Sequence, residues 1–284
     1  MQRHRADPQQ NTHPITRQDK QAIADAFGKA AKHYDKAAAF QRDVGHQLLA
    51  KLPMVREDNC QVLDLGCGTG YFSELLFHQG LRVCAADLSP EMLQQAYVRC
   101  GENIRYLEAD AENLPLSDNQ FDIAFSSLAL QWCDDLSVPL RELRRVVKPG
   151  GYIVFSTLVE GSLRELAQAW QQIDQYQHVN TFLSPKAIKL ALAQSGCTAV
   201  NLEFKPITMF YNSAVELMKD LKGIGATHLQ PVQGPQVQGQ QGRKAGLAGR
   251  KTILALEDAY NTFRDNNNQL PATYQVCFGV IIND

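Results

Sequence analysis

Val62-Leu63-Asp64-Leu65-Gly66-Cys67-Gly68-Thr69-Gly70 is the stretch that decides the fold. An apolar run breaks into glycines at alternate positions, which reads as a strand running into a tight turn. A second apolar run, at 81–86, ends in Asp87-Leu88-Ser89. A glycine turn after one strand and an acid at the tip of the next can hold a nucleoside. Glycine lets backbone approach a ligand with no Cβ in between, and the acid can accept both ribose hydroxyls.

Two ligands compete for such a turn. The dinucleotide fingerprint is G-x-G-x-x-G, with pyrophosphate on the helix N-terminus. Here the spacing is G-x-G-x-G, and Asp64 stands inside the strand, two residues before the first glycine. A carboxylate there repels a pyrophosphate. It suits a ligand with an ammonium group and no phosphate, such as the methionine end of S-adenosylmethionine. The acid and the spacing agree on that ligand; the remaining alternative is a glycine turn that binds nothing.

Outward from this centre, 20–52 reads as helical, with Ile23, Ala24, Phe27, Ala30, Ala31, Tyr34 and Ala38 at spacings of three and four. Strands at 62–65, 82–87, 104–107, 121–126 and 152–158 alternate with helices at 71–78, 90–100 and 139–147. Ser89 caps the second helix, with Pro90 at its first position. The third is stopped by Lys148-Pro149-Gly150-Gly151. Strands and helices alternating at this pace predict a parallel sheet covered on both faces, with ligands at the carboxyl ends of the strands. Asp64, Gly66, Asp87, Asp110, Ser126 and Ser127 fall at those ends.

The second half is less regular. Helices are expected at 162–175, 184–195, 214–221 and 251–263, and one or two strands around Pro206 in 198–211. An antiparallel strand at 273–282 would close a seven-stranded, mostly parallel, Rossmann-like α/β sheet. The layout predicts a disordered tail at 1–18 and a single domain at 19–284. Helical cap segments are expected at about 160–183 and 212–264, the second containing a Gln/Gly-rich loop at 230–249.

At 284 residues, with 44% hydrophobic and 20% charged content, the chain reads as an ordinary globular protein. The net charge of −2 argues against bulk nucleic-acid binding. Seven irregularly spaced cysteines do not form a disulfide framework and fit a reducing cytoplasm. No segment reaches the ~18 apolar residues of a membrane span, and the polar first residues lack the apolar centre of a signal peptide. No metal site is expected.

The glycine turn, Asp87, Asp110-Ala111 and the stretch from Leu114-Pro115 to Phe121-Asp122 resemble the class I S-adenosylmethionine-dependent methyltransferases. A closer resemblance covers most of the chain. It is carried by 26–34 (AFGKAAKHY), 128–133 (LALQWC), 140–147 (LRELRRVV), Gly161-Ser162-Leu163 and 221–229 (LKGIGATHL). These are similar to the malonyl-acyl-carrier-protein O-methyltransferases of biotin synthesis; 222–229 is the most telling, because it lies outside the common cofactor core. The stretch at 230–249 departs from the family pattern. The resemblance implies a cytoplasmic monomer that esterifies the free carboxylate of a malonyl thioester, on acyl-carrier protein or coenzyme A.

Each site residue then has an expected part. Asp64 and the turn (Gly66, Cys67, Gly68, Gly70) place the methionine end, with Cys67 a small filler. Asp87 takes the ribose and Leu88 packs the adenine. Asp110 accepts from the adenine amine, the Ala111 N–H serves the ring, and Glu112 belongs to the same loop. The resemblance makes Tyr34 a lid, and Arg42 follows at helical spacing to meet the methionine carboxylate. Ser126, Ser127 and Trp132 stand where the methyl group should point. An ionised carboxylate needs no general base, but once buried it needs a cation or a donor. Arg145, Lys222 and His228 are the candidates, and the glycines of Lys222-Gly223-Ile224-Gly225 would let backbone close onto a thin substrate arm. Arg141, Arg144, Arg145 and Lys148 can instead form a solvated face. That face, or the cluster from Arg243-Lys244 to Arg250-Lys251, could dock an acidic carrier. Two other readings stay open: transfer to another small acceptor, such as a quinone precursor or free carboxylic acid, and a cofactor-binding protein without catalysis.

Overall fold

A computed structural model describes residues 17–53, 59–226 and 249–284. The expected tail before residue 17, His228, the Gln/Gly-rich stretch as far as 248 and the Arg243-Lys244 pair lie outside the described residues.

Seven strands form one sheet in the order β3-β2-β1-β4-β5-β7-β6. They are β1 (Gln61–Leu65), β2 (Arg82–Asp87), β3 (Arg105–Glu108), β4 (Phe121–Ser127), β5 (Val147–Val159), β6 (Ala199–Tyr211) and β7 (Leu270–Ile282). The first five are parallel, and β7 runs antiparallel to both β5 and β6. Alternation along each strand builds two cores. Val83 and Ala85 of β2 join one, Cys84 and Ala86 the other; Val154 of β5 joins the first, Ile153 and Phe155 the second. Near-continuous apolar strands are what a sheet covered on both faces requires. The order reverses between β1 and β4, and such switch points open a crevice at the carboxyl ends.

The apolar stripe of 20–52 is divided into α1 (Arg17–Ala30), α2 (Tyr34–Ala37) and α3 (Ala39–Leu49). Tight turns at 31–33 break it, with Ala31 N–H bonded to Gly28 O and His33 N–H to Ala30 O. Helix α1 begins at Arg17, inside the 1–18 stretch expected as a tail. Further on come α4 (Tyr71–His78), α5 (Pro90–Cys100), α6 (Ser137–Val146), α7 (Arg164–Gln171), α8 (Pro185–Gln194), α9 (Ala214–Gly223) and α10 (Arg250–Asn261). Ser89 caps α5 as expected, accepting from Met92 N–H.

Two boundaries differ from expectation, and one open choice is settled. Helix α6 begins at Ser137, whose N–H is held by Asp135, so Pro139 sits inside its first turn. Residues 148–151 do not end one element and precede another. They bulge from β5, which pairs Phe121 with Val147 and then Ile123 with Tyr152. Strand β6 is continuous through Pro206, because it is the sheet's edge strand, where proline is tolerated. Helix α7 packs on α10 and β7, and α9 packs on α10, α2 and β6, so the second-half helices gather over the antiparallel end of the sheet.

Candidate active site

The glycine turn is stapled to the neighbouring strand: Gly66 N–H and Cys67 N–H both donate to Ala86 O, at 2.7 and 3.0 Å. Gly66, Gly68 and Gly70 all have positive φ, at 73°, 55° and 78°, a region in which side chains are strained. A Cβ on Gly66 would collide with Ala129, whereas one on Gly68 would meet nothing and project into open space. That space belongs to a cavity that Gly66, Gly68 and Asp87 line together.

Asp87 stands at its centre. One carboxylate oxygen accepts Gly68 N–H at 2.9 Å and the other accepts Ser89 N–H at 2.9 Å. Each oxygen keeps a lone pair for a hydroxyl. Burial pushes its pKa up, against the opposing pull of the Ser89, Gly68 and Leu88 N–H groups. Asp64 lies behind the turn, almost fully buried, and accepts Ser73 Oγ at 2.5 Å. Burial, and secondarily the nearby Asp87 charge, raise it to about 7, although the Ser73 hydrogen bond opposes the rise. It acts on the cavity by charge and does not line it.

Tyr34, Gly66, Gly68, Asp87, Leu88, Asp110, Ala111, Glu112, Ser127 and Trp132 all line this cavity. Burial, with the Asp87 charge next, pushes the Tyr34 phenol well above its ordinary range, so it keeps its proton. Of the remaining expected residues, Cys67 is a buried filler whose thiol burial pushes far up. A Cβ on Gly70 would strike Ala96 of α5, so its glycine serves helix packing. Ser126 is buried and donates to Leu65 O. Arg42 donates to Asp35 O at 2.5 Å and braces α2, outside the lining.

The structure relocates Arg145. Its Nε donates to Glu142, its Nη1 to Leu116 O and Asp118, and its Nη2 to Leu114 O and Glu142. Arginine has five N–H donors, and each has a partner, so none remains for a substrate. Glu142 meanwhile accepts Leu114 N–H. The pair clamps the loop that carries Asp110, Ala111 and Glu112, and is not an acceptor site. Lys222 is exposed on α9 and lines neither cavity. The glycines after it close onto helices and not onto a ligand: a Cβ on Gly223 would meet Ala37, and one on Gly225 would lie 2.9 Å from Ala26 O.

Lys20 lines the cavity although it was not expected there, and Leu128, from the 128–133 stretch that carries the resemblance, lines it in an unusual backbone conformation. Lys20 forms ion pairs with Asp110 and Glu112 at 2.6 and 2.5 Å, tying α1 across the loop that carries them. Its spacing to Ile23 and Phe27, on one helical stripe, was the available clue. Leu128 holds φ at 52°, its N–H bonded to Ser156 O and Oγ. Such strain in a non-glycine residue clusters at functional sites, and no sequence pattern announces it.

A second cavity, of about 680 Å³, adjoins the first. Both are lined by Phe27, Tyr34, Leu128 and Trp132. Phe27 and Trp132 meet edge to face at 5.3 Å. The rest of the second cavity comes from distant segments, including Gln41, Leu163, His178, Asn180, Ile224 and Tyr274. Among the described residues its lining holds no lysine or arginine.

A family model described as a methyltransferase domain matches residues 63–155. Malonyl-[acyl-carrier protein] O-methyltransferase of Serratia marcescens is 46% identical over 268 residues, 94% of this chain and 97% of that protein. The Yersinia pestis protein of the same name is 44% identical, across 94% of this chain and 92% of its own length. The bifunctional biotin biosynthesis protein BioHC of Cellvibrio japonicus is 38% identical over 93% of this chain and 50% of that longer protein. The YcgJ protein of Bacillus subtilis superposes with a TM-score of 0.56 at 18% identity, covering 85% of this chain and 97% of that one. The [4+2]-cyclase SpnF superposes at 0.52 with 15% identity, covering 85% of this chain and 81% of that one. A cyclase on the same fold means that the architecture alone does not specify the reaction.

Proposed function

The chain belongs to the malonyl-[acyl-carrier protein] O-methyltransferases, and from that premise we propose that it methylates the free carboxylate of a malonyl thioester, with S-adenosylmethionine as donor. The observation that carries the proposal is the junction of two cavities at Phe27, Tyr34, Leu128 and Trp132. A donor held in one can meet an acceptor held in the other. The residues of the first cavity fit the donor. Gly68 offers backbone where a Cβ would intrude on the open space, and Asp87 is tethered at both oxygens with lone pairs to spare.

Bound S-adenosylmethionine supplies an electrophilic methyl group on a sulfonium sulfur. Asp87 holds the ribose hydroxyls. Ionised Asp64, behind the turn, offsets the ligand's positive charge. Asp110, Ala111 and Glu112, clamped from below by Arg145, frame the adenine with Leu88. Tyr34 and Trp132, with Ser127 nearby, wall the junction and exclude water, and the π-face of Trp132 suits a cation. The acceptor carboxylate is already ionised near neutral pH. The chain therefore has only to align oxygen, methyl carbon and sulfur and to remove solvent. The helices α7, α9 and α10 form the cap over the acceptor side. Among the described residues the cysteines form no disulfide, which fits a reducing cytoplasm, and no helix is long and apolar enough to cross a membrane.

The test is incubation of the protein with methyl-labelled S-adenosylmethionine and either malonyl-acyl-carrier protein or malonyl-coenzyme A. A base-labile labelled ester on either acceptor is the expected result, and the faster arm identifies the carrier. Base-stable label in another acceptor, or donor binding without turnover, would overturn it.

A further inference from the structure

The second cavity must receive an anion, yet its described lining has no lysine or arginine. Of the cations expected from the sequence, Arg145 is fully engaged elsewhere and Lys222 is outside the lining; His228 lies outside the described residues. A buried carboxylate left without a donor is costly, so another group has to serve.

We propose that His178 receives the acceptor's free carboxylate. Its side chain lines the second cavity and is 13% exposed. Two neighbours fix the ring. It stacks on Trp170 with ring centroids 3.7 Å apart and planes 9° from parallel. Its Nε2 lies 2.8 Å from Asp174 Oδ1 across one turn of chain. That contact uses Nε2 and leaves Nδ1 as the ring nitrogen that can meet a second carboxylate. A histidine held by an acid and an aromatic face is a preorganised anion site, since its orientation is set before the ligand arrives. A second observation concerns the other end of the acceptor. Gln41 Oε1, also in the lining, is buried and has no hydrogen-bond partner among the described residues. A thioester on a carrier arm brings amide N–H groups, and Gln41 Oε1 is an acceptor for one. The cavity thus has a place for the carboxylate and a place for the arm.

This inference rests on the malonyl-thioester reading, and its test separates the two. The full chain is assayed with labelled S-adenosylmethionine and malonyl-acyl-carrier protein. Wild type that transfers no methyl group overturns the reading itself. If wild type is active, His178→Gln and His178→Ala should each raise KM for the malonyl substrate by about tenfold or more. Affinity for S-adenosylhomocysteine should stay within about twofold, because His178 lies outside the donor cavity. Asp174→Asn should give a smaller rise, of about threefold. The decisive readout is charge selectivity. In the S-adenosylhomocysteine complex, wild type should bind malonyl-acyl-carrier protein about tenfold more tightly than its methyl ester, and both His178 variants should bind acid and ester equally. Equal weakening of acid and ester, or an unchanged KM, would make His178 a wall residue and end the proposal. His178→Gln carries the comparison should His178→Ala not fold.

Discussion

The two cavities that meet at Tyr34 and Trp132 are built on different principles. The donor side is made of strand ends and a turn: Gly66, Gly68, Asp87, Asp110 and Ser127 follow four neighbouring parallel strands. Its polar contacts are backbone N–H groups on carboxylates, placed by the sheet itself. The second cavity draws on helix and loop residues within 27–41, 128–132, 163–182 and 221–226, with Leu158 of β5 and Tyr274 of β7. Its polar groups are side chains on elements with no common register. Where a ligand is shared across a superfamily the scaffold holds it; where it distinguishes one family, attached segments do. Substitutions should therefore divide cleanly between donor affinity and acceptor KM.

The largest effect is expected at Asp87. Asp87→Ala removes the acceptor for the Gly68 and Ser89 N–H groups together with the ribose contact. Loss of a charge-assisted pair is worth about 2–3 kcal/mol, so calorimetry should show donor affinity falling roughly 30- to 100-fold. Unchanged affinity would remove Asp87 from the site and erase the contrast.

Next comes a pH effect at Asp64. A carboxyl raised to about 7 by burial, from an ordinary value of about 3.9, keeps a proton in the free folded protein that the unfolded chain has lost. Its contribution to folding stability is therefore greatest below about pH 4 and is lost as pH rises toward about 7. A cationic donor favours the ionised form, so its affinity should rise by up to about tenfold from pH 6 to 8, with proton release on binding. Titration calorimetry in buffers of different ionisation enthalpy reads that proton. Asp64→Asn should flatten the profile; an unaltered slope in the variant assigns it to another group.

Arg145 sharpens the division. As a clamp on Leu114 and Leu116, Arg145→Ala should weaken donor binding about three- to tenfold and leave the malonyl KM alone. The opposite split, found by steady-state kinetics, would return it to the acceptor side. The smallest effect is expected at Lys222. It is exposed and outside both linings, so Lys222→Ala should change KM less than about twofold. A larger rise would mean that α9 contributes charge to the acceptor.

Legibility followed the same division. The five parallel strands, the glycine turn and the acid at the tip of β2 were readable because each is decided by neighbours within a few residues. Misreadings came where distant contacts rule. The helical stripe of 20–52 continues through 31–33, but the chain turns there and sets Tyr34 at the junction. Arg145 looked available on a basic helix face, and its partners Leu114, Leu116 and Asp118 lie some thirty residues away in sequence. Gly223 and Gly225 were legible as sites of close approach, but not what approaches them. Lys20 and His178 had no motif: a helix stripe and a loop histidine are common in any protein of this size.

By itself the sequence determined the α/β sheet, its glycine turn and the acid at the tip of the next strand. These depend on backbone conformation at glycines and on apolar alternation, both local properties. Only the tertiary structure decided that Arg145 braces a loop, that Lys20 ties α1 to Asp110 and Glu112, and that a second cavity opens behind Trp132. Those features arise from side chains separated by tens to hundreds of residues. Their convergence is set by how helices pack on the finished sheet, which no spacing along the chain encodes.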